Sequence, residues 1–139
     1  MKTYQDEYQF STDGDGTIVN ITGPVESVLG ASAVVTGQLT VFVPGSTGAI
    51  TTIEYEPGLL ADMPRLFEKL VPAGISYSHD KTWRDGNGFS HLRAALVGPS
   101  LTVPVSDGTL SLGTWQQIVF LEFDNKPRNR RIVINVVGE

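Results

Sequence analysis

Short apolar stretches with the alternation of strands make up most of the chain, and a few segments carry the spacing of helices. Tyr4 to Phe10 alternates polar and aromatic positions, which predicts a strand with one covered face, and Ser11-Thr12-Asp13-Gly14-Asp15-Gly16 reads as a loop. Val34 to Val43 and Ala49 to Tyr55 are β-branched runs on either side of Pro44-Gly45-Ser46-Thr47-Gly48, a pattern that predicts a hairpin. Leu101–Val105, Leu110–Leu112, Gln117–Asp124 and Arg131–Val137 read as further strands joined by short turns. Helical spacing appears first at Val25, Val28 and Leu29, with Thr22 as N-cap, Pro24 in the first turn and Gly30 near the end. It returns where Asp62 caps a helix whose first turn holds Pro64, with Leu66, Phe67 and Leu70 near one side and Arg65, Glu68 and Lys69 toward water. Pro57 then starts a separate short turn, because Pro64 deep inside a continuous helix would interrupt its hydrogen-bond ladder. Ser90 to Val97 fits a short helix capped by Asn87 or Ser90, whereas from Pro72 to Ser90 no period is visible, and Lys81 to Gly88 has the composition of a functional loop. These elements predict an α+β fold, a mostly antiparallel β-sheet or sandwich with two or three helices, in a single domain over residues 1–139.

Composition narrows the function classes. A 139-residue chain with 40% hydrophobic residues can build one core. No apolar run reaches bilayer length, and Met1-Lys2-Thr3-Tyr4-Gln5-Asp6 lacks the apolar centre of a secretory signal, so a soluble, cytoplasmic protein without membrane contact is expected. The absence of cysteine excludes disulfides, thiolate metal sites and a cysteine nucleophile. A net charge of −5 argues against a general nucleic-acid binder, which needs excess Lys and Arg to displace counterions. The basic run Lys126, Arg128, Arg130 and Arg131 is the exception, and such runs are usually solvated turns.

His79 and His91 are the only two histidines, and both flank the glycine-rich polar loop. Paired imidazoles serve as metal ligands, as a proton-transfer pair or as hydrogen-bond partners of phosphate at neutral pH. Arg93 can offer a bidentate guanidinium to phosphate; on a strand it would share a face with His91, on a helix the two would diverge. Glu54 and Glu56, two apart, either face one pocket or supply charge to a helix N-terminus at Pro57. Asn87 between Gly86 and Gly88 either turns its N–H groups toward an anion or forms an ordinary turn. Trp115 is either core, interface or an aromatic platform, Gln116 beside it carries an amide that could hold a heterocycle, and Thr47, Thr51 and Thr52 suit a strand as well as they suit phosphate.

Taken together, Tyr77 and His79 of Tyr-Ser-His-Asp, Asn87 and His91 of Asn-Gly-Phe-Ser-His, the Leu112-Gly113-Thr114-Trp115-Gln116 box and Glu122-Phe123-Asp124 resemble the signature of the YjbQ-like family, the secondary thiamine-phosphate synthases. Glu54-Tyr55-Glu56-Pro57-Gly58-Leu59 and Arg130-Arg131-Ile132-Val133-Ile134 extend the likeness over nearly the whole chain. The resemblance implies a homotrimer and a weak transferase activity that joins a pyrimidine diphosphate to a thiazole phosphate. His79, His91 and Arg93 would then be catalytic, and Glu54, Asn87 and Gln116 ligand-binding. The alternative is a trimeric small-metabolite or metal-binding module without catalysis. Where several relatives carry histidine, this chain has Gly45, which leaves His79 and His91, with Glu54 as a third candidate, to hold zinc or magnesium if a divalent metal is bound.

Overall fold

The computed structural model describes all 139 residues. Eight strands and four helices follow in the order β1 (Lys2–Thr12), β2 (Ile18–Asn20), α1 (Thr22–Ser32), β3 (Gly37–Phe42), β4 (Gly48–Glu54), α2 (Pro57–Leu70), α3 (Ser78–Trp83), α4 (Gly88–Val97), β5 (Ser100–Ser106), β6 (Thr109–Leu110), β7 (Gln116–Glu122) and β8 (Arg128–Gly138). They form a five-stranded sheet, β1-β8-β3-β5-β6, and a three-stranded sheet, β2-β7-β4, and every ladder is antiparallel. The α+β, mainly antiparallel architecture expected from the pattern is thus observed. No helix is long and apolar enough to cross a membrane.

The sheets face one another across the main core, where Leu39 and Val41 of β3, Ile118 and Phe120 of β7, and Ile132, Ile134 and Val136 of β8 meet Val25 and Leu29 of α1. A second cluster lies behind the smaller sheet: Ala49, Val119 and Leu121 pack on Phe67 of α2 and Ala94 of α4. Strand β7 therefore alternates between two cores, Ile118 and Phe120 to one and Val119 and Leu121 to the other, which explains why its sequence is an unbroken apolar run. Two sheets and a helical layer hold the site loops on the outer side of the smaller sheet.

Several local expectations are corrected. β3 and β4 do not pair: β3 lies between β5 and β8, and β4 pairs with β7 in the other sheet. The intervening segment crosses between the sheets, with the Val43 N–H on the Pro99 carbonyl at 2.9 Å and the Phe123 N–H on the Thr47 carbonyl at 3.0 Å. Residues 57–70 form one helix rather than two. Its N-cap is Glu56, whose carboxylate accepts the N–H groups of Gly58 and Leu59, and Pro57 stands where a missing N–H costs nothing. Pro64 removes one bond from the ladder, but it belongs to the half-buried stripe with Met63 that continues to the buried Phe67, and that packing keeps the helix going. Leu66 and Leu70 fall off this stripe and are about half exposed, at 48% and 57%. Thr22 is the first helical residue of α1, not its cap; its hydroxyl bonds to the backbone of Ile118. The featureless stretch before Asn87 contains the six-residue α3.

Candidate functional site

Helix α3 owes its position to Asp80. One carboxylate oxygen accepts the Tyr77 N–H at 3.0 Å and the other the Gly88 N–H at 2.9 Å, so a single side chain closes the first turn of α3 and ties it to the first residue of α4. Those bonds hold the Asp80 carboxyl below the usual carboxylate range. Gly88 is required by this approach: a Cβ there would lie 2.7 Å from the Tyr77 Cβ. Arg84 ends α3 in the left-handed region at φ 55°, and the chain turns through Asp85 and Gly86 to Asn87.

Asn87 is buried and organises the turn. Its side-chain oxygen accepts from the Ser90 hydroxyl and from the Asn125 N–H, and its carbonyl accepts the N–H groups of Ser90 and His91. Asn125 also donates through its side chain to the Asp85 carbonyl at 2.9 Å, which straps the loop after β7 to the start of α4. Of the two readings of this turn, the geometry favours the ordinary one: the Asn87 N–H goes to Asp85 Oδ1 and the Gly88 N–H to Asp80.

The outcome of these bonds is that His79 on α3 and His91 on α4 lie together, ring centroids 4.3 Å apart and planes inclined by 38°. Both are partly buried. Burial lowers the His91 pKa from its ordinary 6.5, the neighbouring His79 lowers it further, and the charges of Asp85 and Asp124 oppose the shift without overcoming it. His79 Nδ1 is 3.8 Å from Asp85 Oδ1 and has no hydrogen-bond partner.

The family model described as "UPF0047 protein YjbQ-like" matches residues 6–139. The chain belongs to the YjbQ-like family. A UPF0047 protein of Methanothermobacter thermautotrophicus is 44% identical over 139 residues, covering 100% of this chain and 95% of that one. The UPF0047 protein YugU of Bacillus subtilis is 34% identical, with 94% and 96% covered. Among solved structures, a crystal structure from Sulfolobus solfataricus P2, described as a protein of unknown function, superposes with a TM-score of 0.92 at 33% identity, covering 99% of each chain. A YjbQ-family structure from Clostridium acetobutylicum gives 0.87 at 33% identity, covering 95% of this chain and 99% of that one.

The remaining residues expected at a YjbQ-like site are scattered. Arg93 does not reach the imidazole pair. Two residues along a helix its side chain diverges from His91, and it is 2% exposed, with Nε on the Val71 carbonyl at 3.0 Å, Nη2 on Glu68 at 2.9 Å and Nη1 on Asp15 at 3.2 Å. Its guanidinium lies over the Phe89 ring and joins α2, α4 and the β1–β2 loop. Glu54 and Gln116 are partners across the β4–β7 ladder, at the end remote from Thr47 and Asp124, roughly 20 Å along the strand. Gln116 donates to the Thr52 hydroxyl and accepts the Gly113 N–H, while Glu56 caps α2 and also lines the cleft beside Glu54. Glu54 borders a cleft of about 330 Å³ with Tyr55 and Trp115. Trp115 is 73% exposed and so is not core. Gly45 adjoins Arg130, whose Nη1 would be 3.1 Å from an added Cβ.

Near the pair lie residues that stand in or beside the quoted motifs but were given no site role: Asp80 directly after His79, Asp85 opening the glycine turn, and Asp124. The last is fully buried; Oδ2 accepts from Thr47 Oγ1 and Arg128 Nε, each at 2.9 Å. Burial pushes its carboxyl up, but the Thr47 and Arg128 bonds and the nearby arginine charges prevail and hold it below the usual range. Its place in Glu122-Phe123-Asp124, ending an apolar strand with two acids, is the signal in the sequence.

A ligand atom from each of His79, Asp80 and Asp85 lies within 4.8 Å of the others, a spread that a divalent ion can bridge. His79 Nδ1 has no hydrogen-bond partner, which suits a ligand role, whereas both Asp80 oxygens and Asp85 Oδ1 already accept backbone N–H groups.

Proposed function

We propose that the His79–His91 pair is a proton-transfer site acting on a small phosphorylated metabolite. The observation carrying this reading is the 4.3 Å approach of the only two imidazoles in the chain, on separate helices, with His91 held toward the neutral form. Rings this close resist double protonation, so one serves as base while the other serves as acid. The exposed Lys81 and Arg84, on and just after the helix that carries His79, take the anion-holding part first given to Arg93.

The reaction to try first is the one the family resemblance implies. The thiazole nitrogen would bond to the exocyclic carbon of the pyrimidine, and the carbon–oxygen bond to diphosphate would break with its electron pair leaving on oxygen, where a protonated imidazole supplies the proton. Purified protein is assayed with both precursors, with and without magnesium. Product formation well above that of the His79→Ala/His91→Ala double variant supports the reading; equal rates reject it.

A second reading, binding without turnover, is supported by the His79, Asp80 and Asp85 cluster. Metal analysis of the native protein and of His79→Ala separates the two. The homotrimer implied by the resemblance belongs to the same proposal, and the paired exposed leucines of α2 (Leu66, Leu70) and α4 (Leu92, Leu96) favour association. Light scattering that returned a monomer would reject it.

A further inference from the structure

Two buried side-chain atoms in the molecule lack a hydrogen-bond partner, His79 Nδ1 and Asp124 Oδ1. Buried polar groups are ordinarily satisfied, and a charged one left alone is costly. That the first of these atoms belongs to the imidazole pair is unsurprising; the position of the second carries an inference.

Asp124 is 0% exposed. One of its oxygens carries both available donors, Thr47 and Arg128, and the other carries none. The carboxylate is also fixed from below: its backbone N–H bonds to Glu122 Oε1 at 3.0 Å, and the buried Glu122 is gripped by Arg130 and Thr12. From above, the next residue is strapped to the α4 turn by the bonds of Asn125 to Asn87 and Asp85, and the Asn87 carbonyl accepts the His91 N–H at 3.4 Å. Asp124 is thus anchored beside the helical turn that carries His91, and its charge bears on that ring.

We propose that Asp124 is the positioning residue of the imidazole pair, its open Oδ1 accepting the ring N–H of His91 in the working protein. The contact fixes which ring nitrogen holds the proton and leaves the other, facing substrate, as the base. When the substrate-facing nitrogen of His91 is protonated, the N–H shared with Asp124 stays where it is, and the carboxylate stabilises the imidazolium without being protonated. This rests on the reading of the pair as a proton-transfer site, but its test does not depend on turnover.

The test is the tautomer of His91, read from ¹⁵N shifts of the full-length protein at a pH where the ring is neutral. In Asp124→Asn, the Thr47 hydroxyl and Arg128 hold the amide oxygen at the Oδ2 position, so the NH₂ group replaces Oδ1. On the proposed contact a donor then meets His91 in place of an acceptor, and the ratio of ring tautomers is expected to reverse by about tenfold or more. A role confined to stability would lower the melting temperature and leave the tautomers unchanged, and that result in folded Asp124→Asn overturns the proposal. Should the variant not fold, the wild-type protein decides: a His91 ring N–H protected from solvent exchange supports the contact, and one exchanging as fast as a free imidazole refutes it. A reversed tautomer ratio in a protein that turns over neither precursor would retain Asp124 as the positioning residue and reject only the proposed reaction.

Discussion

Replacing Arg93 with leucine separates a structural arginine from a catalytic one. The guanidinium is buried at 2% exposure and engages Glu68, Asp15 and the Val71 carbonyl. Removing one member of a fully buried ion pair costs about 3–5 kcal/mol. Here the abandoned carboxylates are 57% and 37% exposed and regain water, which reduces the loss, while the Val71 carbonyl and the lost contact with Phe89 add to it. The net expectation is about 3 kcal/mol of destabilisation. For a domain of this size that corresponds to a fall of roughly 10 °C in Tm. Urea denaturation and thermal melts measure the cost, and a binding or turnover assay on the folded fraction measures function. Arg93→Leu should lose stability while each folded molecule keeps its ligand response within about twofold, since its side chain is turned away from the imidazole pair. An unchanged Tm with abolished ligand response would mean that the guanidinium meets the substrate, and the placement argued above would be wrong.

Other consequences are equally open to measurement. His91 should titrate below 6.5, and His79→Ala should raise its midpoint, because the neighbouring ring is one of the causes of the depression. The sign for stability follows: the unfolded chain takes up this proton first, so the contribution of the neutral ring is present above 6.5 and is lost as pH falls through the folded value, a trend that urea melts across this range would show and that a folded midpoint at or above 6.5 would contradict. Glu56→Ala removes the acceptor for two N–H groups of α2 and should cost about 1 kcal/mol, whereas a cost near zero would leave the continuous helix without its stated cap. Trp115→Ser, at a residue 73% exposed, should change monomer stability by less than about 0.5 kcal/mol, and a larger loss in dilute protein would place this ring in a core.

The strands that pack on one or two cores were legible because burial writes itself into the sequence: β8 is rich in β-branched residues from Ile132 onward, and β7 is apolar on both faces. Partner choice was not legible. Val34–Val43 and Ala49–Tyr55 have the composition of a hairpin, yet a turn-rich link between β-branched runs says only that the chain reverses, not that both arms stay in one sheet. Local propensity divides helix α2 at Pro64, because the Glu56 cap and the Phe67 packing that sustain it are not local signals. At the site, the histidines were recognised through their motifs, while their convergence depends on Asp80 and Asn125 bonding across α3, α4 and the loop after β7, contacts with no periodicity to betray them. Arg93 illustrates the limit most plainly. A cation two residues from a histidine invites a catalytic role, and only the helical backbone, with Asp15 and Glu68 waiting on its other face, shows that it is a clamp.

The most direct measurement of the central claim is a ¹H–¹⁵N map of the labelled protein titrated with inorganic diphosphate and with a phosphorylated thiazole. Shifts centred on His79, Lys81, Arg84 and His91 are expected, absent in the His79→Ala/His91→Ala variant. Shifts confined to Glu54, Trp115 and Gln116 at the far end of the smaller sheet, with the imidazoles unmoved, would contradict it.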